Sequence, residues 1–75
     1  MRLLSQLQPD ESGHILSLGG PPHMTRRLIS IGLRPGAGVR LVRRGPLGGP
    51  IQVALGSNFI SLRDQEAEQV RLEQG

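Results

Sequence analysis

Apolar residues fall in short runs whose period changes along the chain, with glycine and proline between the runs. Leu3, Leu4 and Leu7 sit at i, i+1 and i+4, the apolar side of one helical turn. Pro9–Gly13 is turn chemistry, and bounding glycines mark a first strand over His14–Leu18, although Ile15, Leu16 and Leu18 do not alternate. Met24, Leu28 and Ile31 recur at i, i+4 and i+7, which predicts the main helix over Met24–Ile31. Gly32 stands where a left-handed C-terminal glycine belongs, and Pro35-Gly36 turns the chain away. Val39–Arg43 reads as a strand with Val39 and Leu41 on one face. Gly45–Pro50 is too rich in Gly and Pro for a strand interior and predicts a hairpin-type connection. Ile51, Val53 and Leu55 then alternate strictly with Gln52, Ala54 and Gly56, and Ile60 and Leu62 continue the alternation after a turn at Gly56-Ser57-Asn58. Arg63–Gln69 suits one polar helical turn with Ala67 inward, and Val70 and Leu72 form a last strand.

Five short strands with one inserted helix predict a mostly β protein: a small five-stranded antiparallel barrel of SH3-like type, with short helical turns, as a single domain over residues 1–75. A chain this short buries only about 60–65% of its unfolded surface, and it contains no cysteine to staple it. Leu, Ile, Val and Phe nevertheless make up 22 of 75 residues, above the level of about 20% below which chains stay disordered. No run approaches the roughly 18–20 apolar residues of a membrane span. The first residues lack an apolar segment of signal-peptide length, so the expected location is cytosolic.

Charge adds a pattern that hydropathy does not show. All nine basic residues are arginine, and between Ser12 and Arg63 there are seven arginines and no acid. The acids lie at the two ends. A basic middle suits nucleic acid, an acidic protein partner or the cytosolic surface of a membrane protein.

Candidate chemistry is thin. The chain has no lysine, so the glycine-rich turns make no phosphate-binding P-loop, and Gly36-Ala37-Gly38 is followed by Leu41 where a dinucleotide fingerprint needs glycine. His14 and His23, nine residues apart on different elements and without cysteine, match no metal-ligand spacing, and nothing fixes Asp10 or Glu11 beside them. The serines lack a patterned base, so no catalytic residue, metal site or cofactor is expected. Nucleic acid is the strongest rival to a protein partner, because arginine suits phosphate. Single-strand binders stack bases on several aromatics, and Phe59 is the only aromatic residue here. That composition makes nucleic acid the second choice.

The ordered series Arg27-Leu28, Ile31-Gly32-Leu33-x-Pro35-Gly36, Val39, Pro46-Leu47-Gly48-x-Pro50 and Ile60-Ser61-Leu62-Arg63 with Glu66-Ala67 resembles the FeoA family, ferrous iron transport protein A, over residues 3–73. The resemblance implies an SH3-like accessory of ferrous iron uptake, without catalytic residues. Its implied partner is the cytosolic GTP-binding domain of the FeoB membrane transporter. The module also resembles the C-terminal domain of some metal-dependent repressors, but no DNA-binding helices accompany it here. Within this reading, Arg26 and Arg27 on the helix and Arg43 and Arg44 at a strand end form a basic rim. Ile29, off the main apolar line, and Leu47, at the tip of the Gly/Pro turn, are the candidate apolar anchors.

Overall fold

A computed structural model describes residues 2–73. The strands are β1 (Arg2–Leu3), β2 (Ser12–Leu18), β3 (Gly38–Arg44), β4 (Ile51–Leu55), β5 (Asn58–Leu62) and β6 (Val70–Leu72). The helices are α1 (Pro22–Ser30) and the single turn α2 (Asp64–Ala67), with 3-10 turns at Leu4–Gln6 and Pro46–Gly48. All strand pairings are antiparallel, in the order β1-β6-β2-β3-β4-β5. This is the expected mostly β, SH3-like architecture. The structure adds a sixth strand, because Arg2 and Leu3 extend along β6 instead of starting a helical turn. The turn that follows is 3-10 and buries Leu4, with Leu7 buried just after it.

Two bulges bend the sheet around its core. One falls in β2 against β6, between Ile15 and Ser17. It explains the broken alternation there: the extra residue, Leu16, is half exposed, while Ile15 is buried and Leu18 packs on the core. The second falls in β3 against β4 at Val42. The bent sheet closes over Ile15, Val39, Leu41, Ile51, Val53, Leu62, Val70 and Leu72. Strand β4 shows the expected face, with Ile51 and Val53 inward. Ala54 is buried as well, although it points outward, because Arg40 and Phe59 flank it in register on the neighbouring strands.

Helix α1 starts at Pro22, two residues before the predicted start, since proline fits the first helical position, where no N–H is needed. Leu28 is fully buried, with Met24 and Ile31 packed beside it. The helix ends in a Schellman motif. The Gly32 N–H donates to the Ile29 carbonyl at 3.0 Å and the Leu33 N–H to the Leu28 carbonyl at 2.9 Å. Gly32 has φ +104°, and a Cβ there would stand 2.7 Å from Leu55 Cδ2 on β4. The corner therefore needs glycine for its dihedral angle, and a Cβ there would also have to push aside the end of the Leu55 side chain.

Two substitution pairs check this account in urea melts. Val53→Ala should lower stability by about 1–3 kcal/mol, with Gln52→Ala nearly silent. Gly32→Ala should cost at least about 1–2 kcal/mol. Gly36→Ala, at φ +92° but in open space, should cost less, the difference reporting the Leu55 contact.

Candidate functional site

The short helix α2 gathers charged side chains from distant elements. Glu66, its third residue, is 6% exposed. Its carboxylate accepts the Arg63 backbone N–H at 2.9 Å, capping the helix, and Arg27 Nε from α1 at 2.6 Å. Asp64 lies 3.8 Å from the Arg44 guanidinium at the end of β3. Arg44 Nη2 also donates to the Leu7 carbonyl at 2.9 Å and to the Ser5 carbonyl. Arg27 and Arg44 are therefore struts that tie α1 and β3 to α2 and to the N-terminal segment.

Arg26 and Arg43, the chain neighbours of those struts, are exposed and form no side-chain hydrogen bond or ion pair among the described residues. The predicted rim thus separates into two structural and two uncommitted arginines. Of the two predicted apolar anchors, Ile29 is 39% exposed on α1 and Leu47 is 105% exposed. Leu47 has φ +55° and ψ +43°, the left-handed region that non-glycine residues rarely enter. Two shallow depressions bracket its turn. Arg43, Arg44, Pro46, Pro50 and Ser61 help line one of about 360 Å³. Gly48, Gly49, Pro50, Arg63, Asp64 and Gln65 line another of about 390 Å³. Arg63 thus lines the far side of the same Gly/Pro turn as Arg43 and Arg44, a placement the sequence reading missed although Arg63 closes the Ile60-Ser61-Leu62-Arg63 series. Helix α1 reaches the same α2 through Arg27, so the helix and the turn flank one short element.

A larger cleft of about 630 Å³, unforeseen in the sequence, opens beside β2 and β3 and is lined in part by Arg2, His14, Arg40 and Glu73. Its guanidiniums are already engaged, Arg2 with Glu11 at 2.9 Å and Arg40 with Asp10 at 3.2 Å. His23 lies elsewhere, exposed in the first turn of α1. Among the described residues no three His, Asp or Glu side chains group to hold a metal. The Gly36 amide is spent on the Ile15 carbonyl at 2.7 Å, so this turn offers it to no phosphate.

Burial raises the pKa of Glu66, but the Arg63 N–H and the Arg27 hydrogen bond and charge outweigh it, holding the carboxyl below its ordinary value. For Glu11 the Arg2 hydrogen bond, reinforced by the Gln8 N–H, lowers the pKa to about 2.

The family described as FeoA domain matches residues 2–74. Among solved structures, the FeoA protein from Chlorobium tepidum superposes with a TM-score of 0.86 at 32% identity, over 95% of this chain and 68% of that one. Stenotrophomonas maltophilia FeoA, solved with zinc and described as a prokaryotic SH3 domain protein, gives a TM-score of 0.83 at 31% identity, over 97% of this chain and 91% of that one. A manganese-dependent transcriptional repressor gives a TM-score of 0.86 at 25% identity, but this chain spans only 40% of it. No curated protein sequence matches.

The division of the arginines is open to test. Arg27→Met leaves the Glu66 carboxylate without its charged partner and should cost about 1–3 kcal/mol, less than for a fully buried pair because Arg27 is half exposed. Arg26→Met should be nearly silent. Both Glu66 and Glu11 have folded pKa values below their unfolded ones. Their stabilisation is therefore complete above the ordinary glutamate value of about 4.3 and fades as pH falls through the folded values. Melting temperatures followed from neutral pH to pH 2 should fall at the acid end. In Arg27→Met, where the folded Glu66 carboxyl no longer lies so far below its unfolded value, the fall should be smaller, so that the two proteins converge at low pH.

Proposed function

Because the chain belongs to the FeoA family, we propose that it is a non-enzymatic cytosolic accessory of ferrous iron uptake, docking on the cytosolic GTP-binding domain of a FeoB-type transporter. The family match over nearly the whole chain carries the transport role. The docking reading rests on Leu47, a large apolar side chain held fully in solvent by a left-handed backbone. Such a residue costs about 1–2 kcal/mol in backbone strain and buries nothing within its own chain. Arg43 and Arg63 beside its turn, with Arg26 on α1, supply basic charge for an acidic partner surface. An apolar centre within a charged rim is a common interface arrangement. Among the described residues no helix is long and apolar enough to cross a membrane, which agrees with a peripheral role. Stenotrophomonas maltophilia FeoA is itself described as a candidate activating factor for ferrous iron transport.

The likeness to the repressor supports a second reading, a regulatory binding module, which shares the barrel but requires a separate DNA-binding part.

Binding kinetics on an immobilised FeoB cytosolic domain distinguish the contributions. Arg26→Glu with Arg43→Glu should slow association and flatten its salt dependence, because rim charge acts on encounter. Leu47→Ala should leave association unchanged and shorten the complex lifetime. Neither change touches the α2 struts, so circular dichroism should be unaltered. Parent-like binding by both variants would place the surface elsewhere, and tight oligonucleotide binding at physiological salt, lost in the arginine variant, would favour the nucleic-acid reading.

A further inference from the structure

The sheet has two ends, and they are built differently. Strand β1 is two residues long and carries Arg2, the usual way to blunt an edge against pairing with another chain. Strand β5 is five residues long and uncharged, and among the described residues no strand pairs with its outer side. Indeed no charged residue occurs from Ile51 to Leu62, the whole β4–β5 hairpin. Its outer face carries Phe59, 61% exposed and the only aromatic side chain in the protein.

The hairpin register tells which backbone groups are unpaired. Leu55 and Asn58 face each other across the two-residue turn Gly56-Ser57, with φ +63° at Gly56. In such a turn the closing residues exchange both hydrogen bonds. Asn58, Ile60 and Leu62 therefore bond to β4, and the N–H and C=O groups of Phe59 and Ser61 point away from the sheet.

We infer that β5 is a self-association edge on which a second copy of this chain adds its own β5, antiparallel, about a two-fold axis at Ile60. That register is self-complementary. Phe59 of each copy meets Ser61 of the other, and the two residues exchange N–H···O=C bonds, giving four across the axis. The Phe59 ring lies over a small serine side chain. The two Ile60 side chains meet at the axis as a non-hydrogen-bonded pair, the closer kind, and extend the core that Ile60 already borders.

Charge permits the same occupant. The chain carries net charge +3, so copies repel in general, and they meet least repulsion on the uncharged hairpin. Across the sheet the nearest outward charges are Arg40 and Arg43, which face Phe59 and Ser61 across β4, while along the strand Arg63 follows directly, three residues from the axis. At about 4.8 Å per strand Arg40 and Arg43 lie roughly 10 Å back from the edge, near the screening length at physiological salt. Two five-residue strands bury less than the about 1,200 Å² of stable interfaces, so the dimer is a weak one, formed between micromolar and millimolar concentrations.

Sedimentation equilibrium and amide exchange across that range test the inference. The expected result is a monomer–dimer equilibrium in which the Phe59 and Ser61 amides slow with concentration, while Ile60 stays protected throughout by its bond to β4. Ser61→Pro removes one edge donor and Ser61→Lys places like charges beside the axis. Each should weaken the dimer by about tenfold or more, the effect of losing cross-strand pairs at both symmetric positions. If Ser61→Pro does not fold, Ser61→Lys and the exchange of the unaltered chain decide the matter. A monomer at millimolar concentration, concentration-independent exchange at Phe59 and Ser61, a closed ring larger than a dimer, or self-association unchanged in Ser61→Lys would each overturn it.

Discussion

Glu66 accepts a hydrogen bond from the Arg63 backbone at 2.9 Å and another from Arg27 Nε at 2.6 Å, and it is almost completely buried. A carboxylate in that position, without those donors, would carry the full penalty of leaving water. The two bonds therefore decide more than local geometry. The first starts α2 directly after β5, so that the chain turns back and delivers Val70–Leu72 between β1 and β2. The second sets the rotation of α1, since Arg27 must reach α2 while Leu28 fills the core. With Arg27 and Leu28 both assigned, Arg26 is left to solvent.

The same logic runs through the other ion pairs. The acid-free middle of the sequence looked like a basic surface. In the fold, acids from the two ends come back to it: Asp10 to Arg40, Asp64 to Arg44 and Glu66 to Arg27. Segregation along the chain thus becomes pairing in space. Among the described residues Arg26, Arg34, Arg43, Arg63 and Arg71 remain without an ion pair, and of these Arg43 and Arg63 stand beside the Leu47 turn. Exposed pairs contribute little stability individually, but they determine which positive charges are already neutralised, and so the shape of the remaining field.

Elements whose signal is local were legible from residues alone. The helix face of Met24, Leu28 and Ile31, the Gly32 corner, the strict alternation of β4 and the inward Ala67 each depend on neighbours within a few positions. The bulge at Leu16 left its trace too, as an alternation that failed, although its cause lies in β6, more than fifty residues away. What could not be read was the choice between adjacent arginines. Arg26 and Arg27, or Arg43 and Arg44, are equivalent in composition, and one of each pair becomes a strut because of an acid or carbonyl roughly 40 residues distant. The Gly/Pro turn made Leu47 hard to bury but left open whether it stands in solvent or folds over a barrel end. Its left-handed backbone was not foreseeable, since leucine is a poor candidate for that region.

The two proposed surfaces are not independent. Ser61, on the outer edge of β5, also lines the depression beside the Leu47 turn together with Arg43 and Pro46. Across the sheet, Arg43, Gln52 and Ser61 form one row. A second copy on β5 therefore stands next to the basic rim, and a partner that covers the rim encroaches on β5. Because the self-association is weak and the rim attracts opposite charge over a longer range, an acidic partner should displace the second copy. Docking and self-pairing are then alternatives for neighbouring ground. The long, unguarded edge is tolerable because its own kind binds it loosely and the partner can shield it.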